Sequence, residues 1–252
     1  MRAIIIGAGR GRRLMPATAD TPKCFAQVQG KRILDWGLEA LDAAGVRDVC
    51  FIGGYKIDKV RKDYPHLMFR HNQDWQHNNI LASLMHAEDL MNEPFLCAYS
   101  DILFTANVVK RVLANPGEIV LAVDTLWLER YQHRSHHPPD DAEKVAATNG
   151  RVTRIHRGMD PGQAHGEYMG VAKFSATGAA TLKEQYQLCR TRFAGLPFRE
   201  AAVFEKAYLI QLFQEMIEAG VRIAHADCAG EYMEIDTQQD FDLAQSNWKA
   251  FP

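Results

Sequence analysis

The stretch GAGRGRRLMPATADTPK, residues 7–23, constrains this chain more than any other. It follows MRAIII, a short apolar run that reads as a buried strand. Glycines stand at positions 7, 9 and 11, among four cations and one acid. Glycines in that spacing bring bare backbone close to a ligand and turn N–H groups toward phosphate oxygens. A strand that ends in such a loop belongs in an α/β sheet that holds its ligand at the carboxyl ends of its strands. Two familiar phosphate loops do not fit. A GxxxxGK[ST] run is absent. A dinucleotide GxGxxG fails at Arg12, where its third glycine belongs, and the second strand ends in IGGY without the acid that a ribose would need.

Charge distribution strengthens the case for a small polyanion. Residues 1–32 carry Arg2, Arg10, Arg12, Arg13, Lys23, Lys31 and Arg32 against Asp20 alone, a local net of +6 that leaves −8 for the remainder. An overall charge of −2 gives no general nucleic-acid surface. Arg and Lys in a water-poor crevice stabilise charge on the leaving oxygens of phosphoryl chemistry. The five cysteines are scattered and form no CxxC pair, which predicts a reduced, cytoplasmic setting. No apolar run approaches the roughly 20 residues of a membrane span, and AIII is too short for a leader's apolar core.

Strand and helix patterns alternate along the first half. RAIIIG, DVCFIGG, LMFRHN, PFLCAYSDILF and EIVLAVDT read as strands, separated by the helical patterns ILDWGLEALDAAG, IDKVRKD, NILASLMHAEDLM and ANVVKRVLAN. That rhythm predicts a mostly parallel sheet with helices on both faces. After Thr125 it breaks. Residues 126–143 are polar and irregular, EKVAATNGRVTRIHRG reads as a hairpin turned at Asn149-Gly150, and GEYMGVAKFS is another strand. Helices follow at about 176–193 and 205–219, then a strand pair or bent strand in VRIAHADCAGEYMEID. A closing helix opens with Thr237 and Asp240 spaced as a capping box. One domain, 1–252, is expected, with a β-rich flap over about 126–175 inserted above the sheet's carboxyl edge.

The loop resembles the AAGxGxRLxPxTxxxPK signature of nucleotidyltransferases of the nucleotide-diphospho-sugar transferase fold, with Gly7 in place of the usual first alanine. NNILASLMHAEDL, YSDILF, EKV…GRVTRIHRG…GEYMGVAKFS and YMEIDTQQDF are similar to the branch containing phosphocholine and 2-aminoethylphosphonate cytidylyltransferases. The resemblance implies a Rossmann-like, GT-A-like sheet and a magnesium-dependent transfer of CMP from CTP to a small phosphorylated or phosphonylated acceptor, with release of pyrophosphate. Mg2+ would sit on Asp101 and Asp236. Arg13 and Lys23 would be the catalytic cations, and Ala8, Gly9, Gly11, Arg13, Lys23, Gly54, Asn79 and Asp101 would surround the nucleotide. Acceptor contacts are expected from Lys144, Arg157, Glu167 and Tyr232. Read without the resemblance, Asp101 and Asn79 are equally helix caps or turn residues, and Asp236 is equally a cap. Lys144 and Arg157 are equally solvated hairpin charges.

Headgroup identity stays open in the sequence. A choline would favour an aromatic cage, for which Trp127, Tyr131, Tyr168 and Tyr232 are candidates. An aminoethyl group would favour a carboxylate such as Glu167 or Glu231. Glu234, two residues before Asp236 on one strand, is a further candidate for the same pocket. HRSHHPPDD, with His133, His136 and His137, matches no common zinc spacing, and Ser100-Asp101 lacks the GxSxG elbow of a serine hydrolase. The competing readings are a sugar-1-phosphate nucleotidylyltransferase, a dinucleotide-binding oxidoreductase and a silent nucleotide-binding regulator.

Overall fold

A computed structural model describes residues 1–15, 18–132, 134–136 and 138–248. His133 and His137 of the histidine-rich loop lie outside the described residues. In the first half, β1 (Arg2–Gly7) runs into the glycine loop, followed by a small hairpin of β2 (Gln27–Val28) and β3 (Lys31–Arg32). Then come α1 (Ile33–Ala43), β4 (Asp48–Gly53), α2 (Ile57–Asp63), β5 (Met68–His71), α3 (Ile80–Leu84) and β6 (Phe95–Tyr99). After α3 the chain tightens into a 3-10 turn over Met85–Leu90, kinked at Ala87.

The strand expected over PFLCAYSDILF is broken at Ser100-Asp101. Its second piece, β7 (Ile102–Phe104), leaves the main sheet. Next are α4 (Ala106–Ala114), β8 (Ile119–Asp124) and a short helix, α5 (Trp127–Tyr131), inside the stretch read as irregular. β9 (Lys144–Thr148) and β10 (Arg151–Ile155) form the expected hairpin, with Asn149 at φ 51° and Gly150 at φ 72° in its turn. The chain continues through β11 (Gly166–Phe174), α6 (Ala176–Phe193), α7 (Leu209–Glu218), β12 (Ala224–Cys228), β13 (Tyr232–Glu234) and α8 (Gln238–Asn247). Thr237 and Asp240 make the predicted capping box of α8.

Nine strands share one mixed sheet, in the order β5-β4-β1-β6-β11-β8-β12-β10-β9. The first four are parallel, as the βαβ rhythm requires, and β8 pairs parallel with β12. β11 enters antiparallel between β6 and β8. Alternate residues of β1 divide the core. Ile4 and Ile6 pack on the side of α6 and α7, and Ala3 and Ile5 on the side of α1 and α4.

The segment expected as a flap above the sheet is part of the sheet instead. β11 changes partners along its length: Gly166 and Glu167 pair with β9, and Val171–Phe174 pair with β6. The change falls at a bend around Gly170, whose φ of +74° is the left-handed region. A Cβ there would meet the Tyr99 ring at 2.5 Å. Because β9 pairs with both β10 and β11, strands β11, β8, β12, β10 and β9 close into a ring beside the open parallel half.

Candidate active site

The glycine loop and the two predicted acids meet in a cleft of about 400 Å³ at the carboxyl end of β1 and β6. Ala8, Gly9, Gly11, Arg13 and Lys23 line it from the loop side. Gly11 has φ +66°, and a Cβ on it would come within 2.9 Å of the Lys23 stem. Only a residue without a side chain lets that lysine lie across the loop. The Thr18 hydroxyl donates to the Gly11 carbonyl at 2.8 Å, and the Tyr55 N–H donates to the Ala8 carbonyl at 2.9 Å. Loop and second strand are thus tied together.

A device invisible in the strand pattern brings the acids side by side. β13 pairs antiparallel with β7, matching Glu234 with Ile102 and Tyr232 with Phe104. Asp101 directly precedes β7, and Asp236 lies two residues past β13. The Ile235 N–H donates to the Asp101 carbonyl at 3.0 Å. Backbone pairing therefore fixes the separation of the two acids. The carboxylate of Asp240 accepts the N–H groups of Asp236 and Thr237 at 3.1 and 2.8 Å, which seats Asp236 at the start of α8.

Both carboxylates converge on one ammonium. Lys23 Nζ donates to Asp101 Oδ2 at 2.7 Å and to Asp236 Oδ1. Arg13 donates to the other oxygen of Asp236 and reaches Asp141 Oδ2 at 3.2 Å. Burial opposes charge on Lys23, but Asp101 and Asp236 outweigh it and raise its pKa well above the ordinary lysine value. Burial likewise opposes charge on Arg13, and Asp236, Glu234 and Asp141 outweigh it. Glu234 lies in the same group of acids. Burial, then Asp236, Glu167 and Asp101, push its carboxyl well above the usual range. Convergent, crowded carboxylates are hard oxygen donors of the kind that suits magnesium.

The other wall is acidic and aromatic. Arg157, Glu167 and Tyr232 line the same cleft, together with Glu143, Tyr99, Tyr168 and Tyr208. Arg157 donates to Glu143 Oε1 at 3.0 Å and stacks over the Tyr208 ring at 3.9 Å. Burial raises the Glu143 carboxyl above its ordinary value despite that partner. Glu167 accepts from Arg130 at 2.6 Å and from the Tyr131 hydroxyl at 2.7 Å.

Several expected residues stand apart from this wall. Lys144 is fully buried and donates to the carbonyls of Pro139 and Ala142 at 2.7 and 3.4 Å, so it does not line the cleft. Its neighbour Glu143 faces inward instead, and EKV alone does not say which of the two would. Glu231 lies outside too, accepting from Thr105 and Arg111 at 2.5 and 2.7 Å. Gly54 lies behind Ala8, where an added Cβ would meet that carbonyl at 2.8 Å. Asn79 does both things its sequence position allowed. It caps α3 by accepting the Ile80 N–H at 2.9 Å, and it lines the cleft. Trp127 and Tyr131 pack together with Ala142, whereas Tyr168 and Tyr232 reach the cleft.

A glycine loop lining a cleft, two cations and a convergent acid pair at a sheet's carboxyl edge are the parts of a nucleotidyltransferase. Residues 3–158 match the MobA-like NTP transferase domain, and the chain belongs to that family. CTP:phosphoglutamine cytidylyltransferase of Campylobacter jejuni is 27% identical, over 96% of this chain and 98% of its own length. Choline-phosphate cytidylyltransferase of Streptococcus pneumoniae is 33% identical over 36% of this chain and 42% of its own. Among solved structures, the inositol-1-phosphate CTP transferase from T. maritima superposes with a TM-score of 0.74 at 21% identity, covering 100% of this chain and 98% of that one. The CTP:phosphocholine cytidylyltransferase from Streptococcus pneumoniae gives 0.72 at 18%, covering 97% of each. The resemblance to the cytidylyltransferase branch, read first from the motifs, is met by these relatives.

Proposed function

We propose that the protein transfers CMP from CTP to a small phosphorylated or phosphonylated acceptor, releases pyrophosphate, and depends on magnesium. One observation carries the reading: the Lys23 ammonium joins Asp101 to Asp236 directly against the glycine loop. The acceptor's phosphate or phosphonate oxygen attacks the α-phosphorus in line, a new P–O bond forms, and the bond to the β-phosphate breaks. That oxygen is already anionic near neutral pH, so no general base is required, and positioning with charge stabilisation supplies the rate. The backbone of Ala8, Gly9 and Gly11 cradles the triphosphate, and Asn79 borders the nucleotide end. Arg13 neutralises the β- and γ-phosphates, and Lys23 neutralises the α-phosphate as the acceptor closes on it. Asp101 and Asp236 would hold magnesium, which supplies countercharge to the phosphates when bound. At the far wall Arg157 takes the acceptor's phosphate, while the carboxylate of Glu167 suits an ammonium on its other end.

The test is a matrix assay. Each nucleoside triphosphate is incubated with magnesium and, in turn, with phosphocholine, 2-aminoethylphosphonate, phosphoethanolamine, phosphoglutamine and sugar 1-phosphates, and pyrophosphate is measured. The expected result is turnover with CTP and at least one amine-bearing acceptor, abolished by chelator and restored by Mg2+. Turnover confined to sugar 1-phosphates would replace this reading with the sugar nucleotidylyltransferase one.

A further inference from the structure

Outside the cleft, His165, His225 and Asp227 form a second cluster of donor atoms. Their ligating atoms all lie within 4.8 Å of one another. His165 Nε2 and His225 Nδ1 each approach the same oxygen, Asp227 Oδ1, at 2.8 Å, and the two rings cross with centroids 4.8 Å apart. Both imidazole nitrogens converge on one carboxylate oxygen, which gathers two nitrogen donors and one oxygen donor in a single spot.

The scaffold under these residues is firm. His225 and Asp227 alternate on β12, so both project from one face of a strand held parallel to β8. His165 comes from the segment before β11, and its own N–H donates to the Val145 carbonyl at 2.7 Å. The side chains are 33%, 10% and 48% exposed, which leaves an open side for ion entry and for a solvent ligand. Tetrahedral zinc sites place nitrogen and oxygen donors at about 2.0–2.2 Å, with donors about 3.3–3.5 Å apart, so the donor atoms here need move by only about an ångström.

We infer that His165, His225 and Asp227 bind one divalent transition-metal ion of the zinc class, at a site separate from the catalytic cleft. The donor set decides the class. Two imidazoles with one carboxylate suit zinc, cobalt, nickel or copper, whereas the oxygen-only pair Asp101 and Asp236 suits magnesium. The bound ion would pin the segment between Arg157 and His165 to β12.

Cobalt(II) is a suitable probe because its visible bands report coordination. Chelator-treated full-length protein is titrated with Co2+ in excess Mg2+, which keeps the oxygen site filled. The expected result is one tight equivalent with the intense bands of a four-coordinate ion, and a melting temperature that rises as the ion is added. His165→Ala or His225→Ala should each weaken binding tenfold or more, the double variant and Asp227→Asn should abolish the bands, and all should keep wild-type nucleotidyltransferase turnover. Retained turnover also shows that these variants fold. Absence of a tight equivalent in the wild type, or bands that persist in the double variant, would overturn the assignment.

Discussion

Lys23 is 7% exposed and carries the positive charge between two carboxylates. Its removal leaves Asp101 and Asp236 facing each other and, in the proposed mechanism, takes a fixed charge from the α-phosphate. Lys23→Ala should lower kcat about a hundredfold or more, the scale for one preorganised electrostatic group. Steady-state kinetics decide it, and a change confined to KM would refute the role. Glu231 makes a different residue-scale prediction. Burial pushes its carboxyl up, but the Thr105 hydroxyl and Arg111 outweigh that and hold its pKa below the ordinary value. A depressed acid adds stability that is present above its unfolded pKa, about 4.3, and is lost as pH falls through the folded one. Wild type should therefore lose more stability than Glu231→Gln as pH falls from about 5 through the folded pKa, by a modest margin because Arg111 is 42% exposed. Denaturant melts at a series of pH values measure the difference.

At the scale of elements, the pairing of β7 with β13 is what the placement of the acid pair rests on. Ile235→Pro removes the N–H that meets the Asp101 carbonyl. It should cost at least about 1–3 kcal/mol and nearly all turnover, whereas Ile235→Val keeps the bond and should cost only about 0.5–1.5 kcal/mol. Gly170→Ala forces a side chain into the left-handed region and against the Tyr99 ring. A loss of about 2 kcal/mol or more is expected in thermal melts. These elements also mark where sequence reading stops. Strands β1, β4 and β8 were legible because unbroken apolar runs announce strands buried on both faces. The 149–150 turn was legible because few residues other than Asn and Gly accept positive φ in succession. The small sheet was not legible, since ILF and YME are three residues each and pair across more than a hundred positions. Nor was the partner switch of β11, where GEYMGVAKF reads as one straight strand. Asp141 and Glu143 gave no signal, because PPDDAE reads as a solvated loop until its neighbours are known.

For the molecule as a whole, five thiols report on integrity. Cys24, Cys50, Cys97, Cys189 and Cys228 are all free and buried. Burial pushes the thiol of Cys24 up to about 12, those of Cys50, Cys189 and Cys228 up to about 11, and Cys97 higher still. Since the thiolate is the reactive form, fewer than one of the five should react with an aromatic disulfide at pH 8 in the native protein. All five should react in denaturant, and absorbance of the released thiol counts them. The backbone bond between Asp101 and Ile235 also has a temporal meaning. A ribosome makes the glycine loop, Lys23 and most of the parallel strands long before it reaches β13. Until Ile235 and Asp236 emerge, the Asp101 carbonyl lacks its backbone donor and Lys23 lacks one of its two carboxylates, so the acid pair is completed only after the loop and the parallel strands beside it have been made.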